Sequence, residues 1–504
     1  MSENKLTVEL ANRLNNRVVI ASEISDESIR GTDIEALGAR IESFFSEKPG
    51  ASILTRQILE QILKQQEDEK VPETIEISRS DDFKPMAKEV QNRFTIRESK
   101  IDKTGGKASD FTDYFRDRFN KLREFVGMHQ IMMSGMLKNI DAVKQYAEGK
   151  EVGLVGMVYD KIVTKNGNVL VTLEDETGIA KVLFVKQTSN PKSGEVFENS
   201  KKLVNDDVIA IKGKIYGKLI IVNTFVWPDI PIHHRVPTES DIAVAMMSDV
   251  HVGSKLFMEK EFSLMLKWLN GNVDSRKDLA GKIKYLIING DVADGIGVYP
   301  NQDKDLAILD IYKQYSIFFD FLYSIPDYIE VFITPGNHDA VQRAEPQPPL
   351  TKELLGDFKM SNVHIIANPS NINIEGLKVL AYHGTSLDSV IQAIPNCSYA
   401  KPEIAMTEIL KRRHLSPIYG GNIIVPSSKD ALVIDEVPDI LHMGHVHKNG
   451  ASDYHGTLIV NSGTWQARTA FQIKQGHIPT PGILPVYESK SMMLSNVDFN
   501  SLGV

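Results

Sequence analysis

Ile242-Ala243-Val244-Ala245-Met246-Met247-Ser248-Asp249-Val250-His251 is an apolar run that ends in an Asp-x-His pair. A short, unbroken apolar run predicts a strand buried on both faces, which leaves the polar pair at the strand end. The pattern recurs downstream. Tyr285 to Ile288 precedes Gly290-Asp291-Val292-Ala293-Asp294, and Ile329 to Ile333 precedes Gly336-Asn337-His338-Asp339. Leu377 to Leu380 precedes Tyr382-His383-Gly384, and Val437 to Met443 precedes Gly444-His445-Val446-His447. Polar ends of successive buried strands converge on one rim of a sheet, where open α/β sheets hold their ligands.

Carboxylate, imidazole and amide oxygen together suit a pair of hard or borderline divalent ions: manganese, with magnesium, zinc or iron also served. No thiolate is offered, which excludes thiolate-bound zinc. Alternate residues of a strand end point the same way, so Asp-x-His and His-x-His each direct two side chains to one ion or to two neighbours. Asp291 can bridge both ions if they stand about 3.5 to 4 Å apart. Taken singly, an Asp after a strand is usually a turn former and a lone His a hydrogen-bonded structural residue. Five such segments, each after a predicted strand, reverse that reading. Histidines outside them, His477 included, match no motif and read as structural or surface residues.

At 504 residues the chain is long enough for two to four domains. Its 42% hydrophobic and 24% charged content is that of globular proteins, with ample material for a large core. The single cysteine, Cys397, excludes an internal disulfide and reads as a small buried or half-buried residue. Met1 to Lys5 leads into no apolar leader segment and no run approaches a membrane span, so a soluble, cytoplasmic protein is expected. A net charge of -9 argues against a surface broadly coated for duplex DNA. Any nucleic acid must then be held locally, where bound divalent ions and patches such as Lys411-Arg412-Arg413 reverse the sign.

Helical spacing in Thr32 to Phe45 and Ser52 to Leu63 predicts a small N-terminal helical domain, 1–66. Residues 67–109, charged and interrupted by Pro72 and Pro85, read as a flexible linker. Phe111, Phe115, Phe119 and Leu122 mark a helical connector, 110–148, with Asp110 as its N-cap and an aromatic stripe packed on the next domain. Five short β-rich runs over 149–235, with turns at Lys165-Asn166-Gly167-Asn168 and Glu174-Asp175-Glu176-Thr177-Gly178, resemble an OB-fold barrel. Aromatics able to stack bases are sparse there, so packing against a neighbouring domain or subunit is the reading preferred over direct strand binding. Residues 240–504 hold the polar strand ends.

From Ile242 to the C-terminus, the order and type of those segments resemble the calcineurin-like metallophosphoesterases, a two-sheet β-sandwich flanked by helices. The resemblance implies that Asp249, His251, Asp291 and His447 hold one ion, and Asp291, Asn337, His383 and His445 the other. It implies that His338 is a catalytic histidine that binds no metal. Asp294 and Asp339 complete their patterns beside the ligands, Asp339 being well placed to orient His338.

A helical piece, an OB-like barrel ending in Trp227-Pro228-Asp229-Ile230-Pro231 and then a phosphoesterase together resemble the small, B-type subunits of replicative DNA polymerases. Gly336-Asn337-His338-Asp339-Ala340 running into Ala344-Glu345-Pro346-Gln347-Pro348 resembles the small subunits of archaeal family D DNA polymerases. So do Leu410-Lys411-Arg412-Arg413-His414-Leu415, Pro417-Ile418-Tyr419-Gly420-Gly421 and Asn461-Ser462-Gly463-Thr464-Trp465-Gln466. The eukaryotic relatives in that class have lost the metal-binding residues, whereas every ligand position is present in this chain. The resemblance therefore implies an active proofreading 3′ to 5′ exonuclease for single-stranded or primer-terminus DNA, paired as a heterodimer with a large catalytic subunit. A sliding clamp is a further partner to consider for the N-terminal domain, where no residue decides the matter.

Arg343, Arg412 and Arg413 are the candidate DNA-contacting residues. A Gly-x-x-x-x-Gly-Lys-Ser/Thr loop is absent, so any polymerase activity would belong to the complex. A metal-dependent phosphatase would use the same ions, and a structural subunit that only tethers a polymerase remains compatible as a second role.

Overall fold

The computed structural model describes residues 5–14, 18–21, 24–25, 29, 34–46, 53–59, 62, 77–98, 106–127, 137–186 and 191–502. Thr32, Ser52, Leu63 and residues 67–76 of the expected elements lie outside them. The chain divides into two compact units, Met1–Glu73 and Thr74–Val504. In the first, the helices Lys5–Arg13 and Ile34–Ser46 accompany a two-stranded parallel pair, Val19–Ile20 with Ile53–Leu54. Leu10, Leu14, Leu37, Ile41, Leu54, Leu59 and Ile62 close a core of its own. The helical reading of Ser52 to Leu63 gives way at Ile53–Leu54, where the backbone is extended and pairs with Val19–Ile20.

The second unit begins with a segment the sequence reads as linker. Met86–Glu89 is a short 3-10 helix, and Phe94–Glu98 is an edge strand pairing antiparallel with Ser370–Ile374. Phe94 and Ile96 pack into the core while Thr95 and Arg97 face out, an alternation too short to stand out among charged neighbours. The helix Ala108–Gly127 starts two residues before the expected cap. Asp110 instead sits in its first turn, its carboxylate accepting from the Lys107 N–H. Tyr114, Phe119, Leu122 and Val126 are its buried face.

Five strands, Glu151–Val163, Val169–Asp175, Gly178–Phe184, Val208–Tyr216 and Leu219–Val226, form a barrel. The first pairs with both the second and the fourth, which closes it. Val169–Asp175 alternates buried with half-buried side chains, as a barrel wall requires. Phe119, Leu122 and Val126 of the preceding helix pack on Val155, Met157, Val208 and Ala210 of the barrel and reach Val433 of the C-terminal part.

Two six-stranded sheets build that part. One runs Val363–Ile365, Glu330–Thr334, Ile283–Asn289, Ala243–Met247, Ile483–Glu488, Met493–Asp498, its first four strands parallel. The other runs Asn449–Tyr454, Thr457–Ser462, Ile440–Met443, Leu377–Ala381, Ser370–Ile374, Phe94–Glu98. Val244, Met246, Tyr285, Ile287 and Phe332 meet Ile372, Ile374, Val379, Ala381, Ile440 and Val460 between the sheets. The alternate residues Ala243, Ala245, Met247, Leu286, Ile288 and Val331 pack outward in a core shared with Phe262, Trp268, Phe318 and Leu322 of the helices Glu259–Leu269 and Ile311–Leu322. Every residue of Ala243–Met247 and Ile283–Asn289 is buried, which is why Ala243 to Met247 and Tyr285 to Ile288 read as unbroken apolar runs.

Arg412 joins the barrel to the sandwich. It lies 2.8 Å from Asp207 of the barrel and 2.7 Å from Glu408, all three buried. Truncation would leave the buried Asp207 carboxylate without its cation, while Glu408 keeps Lys411 at 3.1 Å. Arg412→Ala is expected to cost at least about 3 kcal/mol, seen as a lowered denaturation midpoint of the full chain. No helix among the described residues is long and apolar enough to cross a membrane.

Candidate metal centre

The parallel strands deliver every candidate ligand from a C-terminal end. Asp249 and His251 follow Ala243–Met247, Asp291 follows Ile283–Asn289, and Asn337 and His338 follow Glu330–Thr334. From the second sheet, His383 follows Leu377–Ala381, and His445 and His447 follow Ile440–Met443. Asp249, His251, Asp291, His445 and His447 all take positive φ, between 53° and 67°. Asp and His tolerate this left-handed backbone better than branched residues do, and such strain gathers where function fixes a side chain's direction. The motif glycines make room. A Cβ on Gly336 would strike the Asp291 carboxylate, and one on Gly444 would strike the Asp249 carboxylate and the Ser248 hydroxyl.

In the first group, His251 Nε2 and His447 Nε2 are 3.0 Å apart and His447 Nε2 is 3.3 Å from Asp249 Oδ1. His251 Nε2 stands 3.9 Å from both Asp249 Oδ1 and Asp291 Oδ2. Ligands held at about 2.1 Å in a tetrahedron stand about 3.4 Å from one another, so these spacings bracket those of a filled site. In the second group, His383 Nε2 lies 2.9 Å from Asn337 Oδ1 and 3.3 Å from Asp291 Oδ2, and His445 Nδ1 lies 2.9 Å from the same Asn337 oxygen. Asp291 Oδ2 faces both groups.

Divalent ions fit this donor set. An acceptor lies behind three of the four imidazoles: Asp294 Oδ1 is 2.9 Å from His251 Nδ1, Asn289 O is 2.9 Å from His383 Nδ1, and Asp388 Oδ2 is 3.0 Å from His445 Nε2. The Asn289 carbonyl and the Asp388 carboxylate each hold the ring's proton at its back and turn the other nitrogen's lone pair toward the cluster, the usual support of a metal-binding histidine, while Asp294 offers His251 a charge at ion-pair distance without hydrogen-bond geometry. Behind the fourth, the Gln472 amide nitrogen lies 2.8 Å from His447 Nδ1. The electrostatics call for positive charge. Burial disfavours imidazolium, yet Asp294, Asp291 and Asp249 draw His251 up to about 9, and Asp291 and Asp249 draw His383 up to about 10. Against the burial penalty, His383 and His338 hold the Asp291 carboxyl well below the usual range.

His338 lies beside the cluster, its ring 4.8 Å from that of His251. Its main-chain N–H donates to Asp291 Oδ1 at 2.8 Å, and its Nδ1 sits 2.7 Å from the Asp294 carbonyl. Asp294 therefore braces both His251 and His338. The expectation that Asp339 orients His338 is corrected: its carboxylate accepts from the Gly336 N–H and the Tyr315 hydroxyl, at 2.8 and 2.9 Å, and so fastens the loop. Arg412 is committed to Asp207 and Glu408, and Arg413 is buried with its guanidinium donating to the Ile434 and Asp435 carbonyls. Arg343 is exposed and donates to the Gly297 carbonyl at 3.1 Å.

A cleft of about 260 Å³ opens over the cluster, lined by His251, Asp291, Asp294, Asn337, His338, His445 and His447. Gln466, which ends the Asn461 to Gln466 stretch, also lines it, and no motif in the sequence marks Tyr299, Asp388, Tyr399, Phe471, Gln472 and His477 on the same wall. His477 thus belongs to the site rather than to the structural or surface histidines. Asp388, in the first turn of Leu387–Ala393, is held down to about 2: partial burial raises it, and His445 and Tyr399 outweigh that.

Residues 244–450, which span all seven candidate ligands, match the family of DNA polymerase alpha/epsilon B subunits. The chain is 42% identical over 389 residues to the DNA polymerase II small subunit of Archaeoglobus fulgidus, covering 76% of this chain and 75% of that one. It is 38% identical to the Pyrococcus horikoshii small subunit, covering 85% and 70%, and 36% identical to that of Methanothermobacter thermautotrophicus, covering 78% and 80%. Identity at this level over most of both chains makes this protein a member of the archaeal DNA polymerase II small-subunit family.

Proposed function

We propose that the chain is the proofreading 3′ to 5′ exonuclease of a two-subunit replicative DNA polymerase, with a calcineurin-like phosphoesterase centre and a large catalytic subunit as its partner. The observation that carries this reading is the clustering of candidate donors from two sheets: Asp249 with His251 and His447, and Asp249 and Asp291 with His383, come close enough to hold an ion, and Asp291 Oδ2 lies 3.9 Å from His251 Nε2 and 3.3 Å from His383 Nε2. A subunit that only tethered a polymerase would have no use for buried carboxylates and imidazoles held in left-handed backbone.

Asp249, His251, Asp291 and His447 would hold one divalent ion, manganese by preference, and Asp291, Asn337, His383 and His445 the second. Such ions supply Lewis acidity toward phosphoryl oxygens and lower the pKa of water toward neutrality. The protein's own groups do the rest. The Asp294 carbonyl accepts only, so it fixes a proton on His338 Nδ1 and leaves Nε2 to act in the cleft. Only as imidazolium, with a second proton on Nε2, would His338 stabilise the charge that builds on the phosphoryl oxygens and give that proton to the departing 3′ oxygen, returning to the neutral Nδ1–H ring. Burial sets its pKa below that of an ordinary imidazole, which makes the imidazolium a stronger acid. Water oxygen bonds to phosphorus, the P–O3′ bond breaks, and a nucleoside 5′-monophosphate is released from a strand that keeps a 3′ hydroxyl.

Product analysis tests this. A single strand carrying a 5′ phosphate, incubated with manganese, is expected to yield deoxynucleoside 5′-monophosphates by mass spectrometry. Inorganic phosphate released from an intact strand would make the protein a phosphatase and overturn the proposal.

A further inference from the structure

The cleft wall that carries no ligand is aromatic. Phe471 is 62% exposed, and Tyr299 and Tyr399 are half-buried. Each is fixed relative to the centre. Phe471 precedes Gln472, whose amide nitrogen reaches His447 Nδ1 at 2.8 Å. The Tyr399 hydroxyl donates to Asp388 Oδ1 at 2.8 Å, and Asp388 Oδ2 lies 3.0 Å from His445 Nε2. The Tyr399 ring also lies against that of His477, centroids 3.9 Å apart and planes tilted by 31°. Tyr299 lies 6.3 Å from the His338 ring. A large exposed aromatic surface beside a phosphoester-cleaving centre costs solvation unless something flat covers it.

We propose that Phe471 and Tyr399, with Tyr299, form a stacking subsite for the unpaired 3′-terminal base. This rests on the exonuclease reading and deepens it. The occupant follows from chemistry: a base in a duplex has its faces covered by its neighbours, so only a frayed or mismatched end presents a π-face to these rings. Stacking is indifferent to base identity, which suits an enzyme that must remove any wrong nucleotide. Selection then lies in the cost of unpairing the end, which a mismatch lowers. The hydrogen bonds from Tyr399 through Asp388 to His445 tie the position of the base to that of the scissile phosphate.

The test uses the full chain and single strands ending in 3′ 2-aminopurine, with calcium in place of manganese so that binding is read without cleavage. Stacking quenches this fluorophore. Wild type is expected to quench it, Phe471→Ala and Tyr399→Leu to lose most of the quenching, and Tyr399→Phe to retain it. Tyr312→Ala, a change at an exposed tyrosine outside the cleft, is expected to quench as wild type does. In manganese, wild type is expected to remove a base-bearing terminal nucleotide about tenfold faster than an abasic one, a ratio that falls toward one in Phe471→Ala. Absent quenching in wild type, or full quenching in a Phe471→Ala, Tyr399→Leu double variant, would overturn the subsite. Loss of the exonuclease reading would show separately, as quenching in calcium without cleavage in manganese.

Discussion

Asp291→Ala is expected to take both ions from the centre and to lower the exonuclease rate by at least about a thousandfold. Asp291 Oδ2 faces the His251 and His383 groups at 3.9 and 3.3 Å, so a single truncation removes an anionic ligand from each. Two bound ions would supply several kcal/mol of transition-state stabilisation, and each 1.4 kcal/mol is a factor of ten. The same carboxylate receives the His338 main-chain N–H, so the catalytic loop loses an anchor as well. Metal analysis of the purified variant, set beside initial rates on a labelled strand, measures both effects. Two ions bound per chain with normal turnover would remove Asp291 from the shared position.

His338→Ala is expected to part the two effects. Its Nδ1 is committed to the Asp294 carbonyl, and none of the ligands' supporting hydrogen bonds runs through its side chain. Metal content should therefore stay at the wild-type value. Losing a positioned proton donor costs about 10²–10⁴-fold in rate. The signature is thus a full complement of metal with a turnover defect that added manganese does not rescue. Full activity at saturating manganese would exclude His338 from the reaction, and loss of metal would make it a ligand.

The candidate ligands stood out in the sequence because most follow strands buried on both faces, where apolar runs stop abruptly at the sheet rim. Ala243–Met247 before Asp249 and Ile283–Asn289 before Asp291 are the plainest examples. The left-handed backbone at Asp249 and His251 left no mark, because neither residue type announces it. Asp388, Tyr399 and Gln472 reach the cleft from loops and helix starts that tertiary folding alone brings near the strand ends. Arg412 shows the opposite failure. Beside Lys411 and Arg413 it reads as a basic surface patch, yet its partner Asp207 lies 205 residues earlier and draws it into the interior. Phe94–Glu98 is a strand only because Ser370–Ile374 offers it an edge, and a partner so distant in sequence cannot be read from a five-residue alternation.

Direction of digestion decides whether this centre works as a 3′ to 5′ exonuclease. One single-stranded oligonucleotide is labelled at its 5′ end and, in a parallel sample, at its 3′-terminal nucleotide, and both are incubated with the wild-type chain and manganese. The account predicts a 5′-labelled ladder shortening one nucleotide at a time, while the 3′ label appears at once as mononucleotide. Internal fragments carrying either label, or strands left whole, would contradict it.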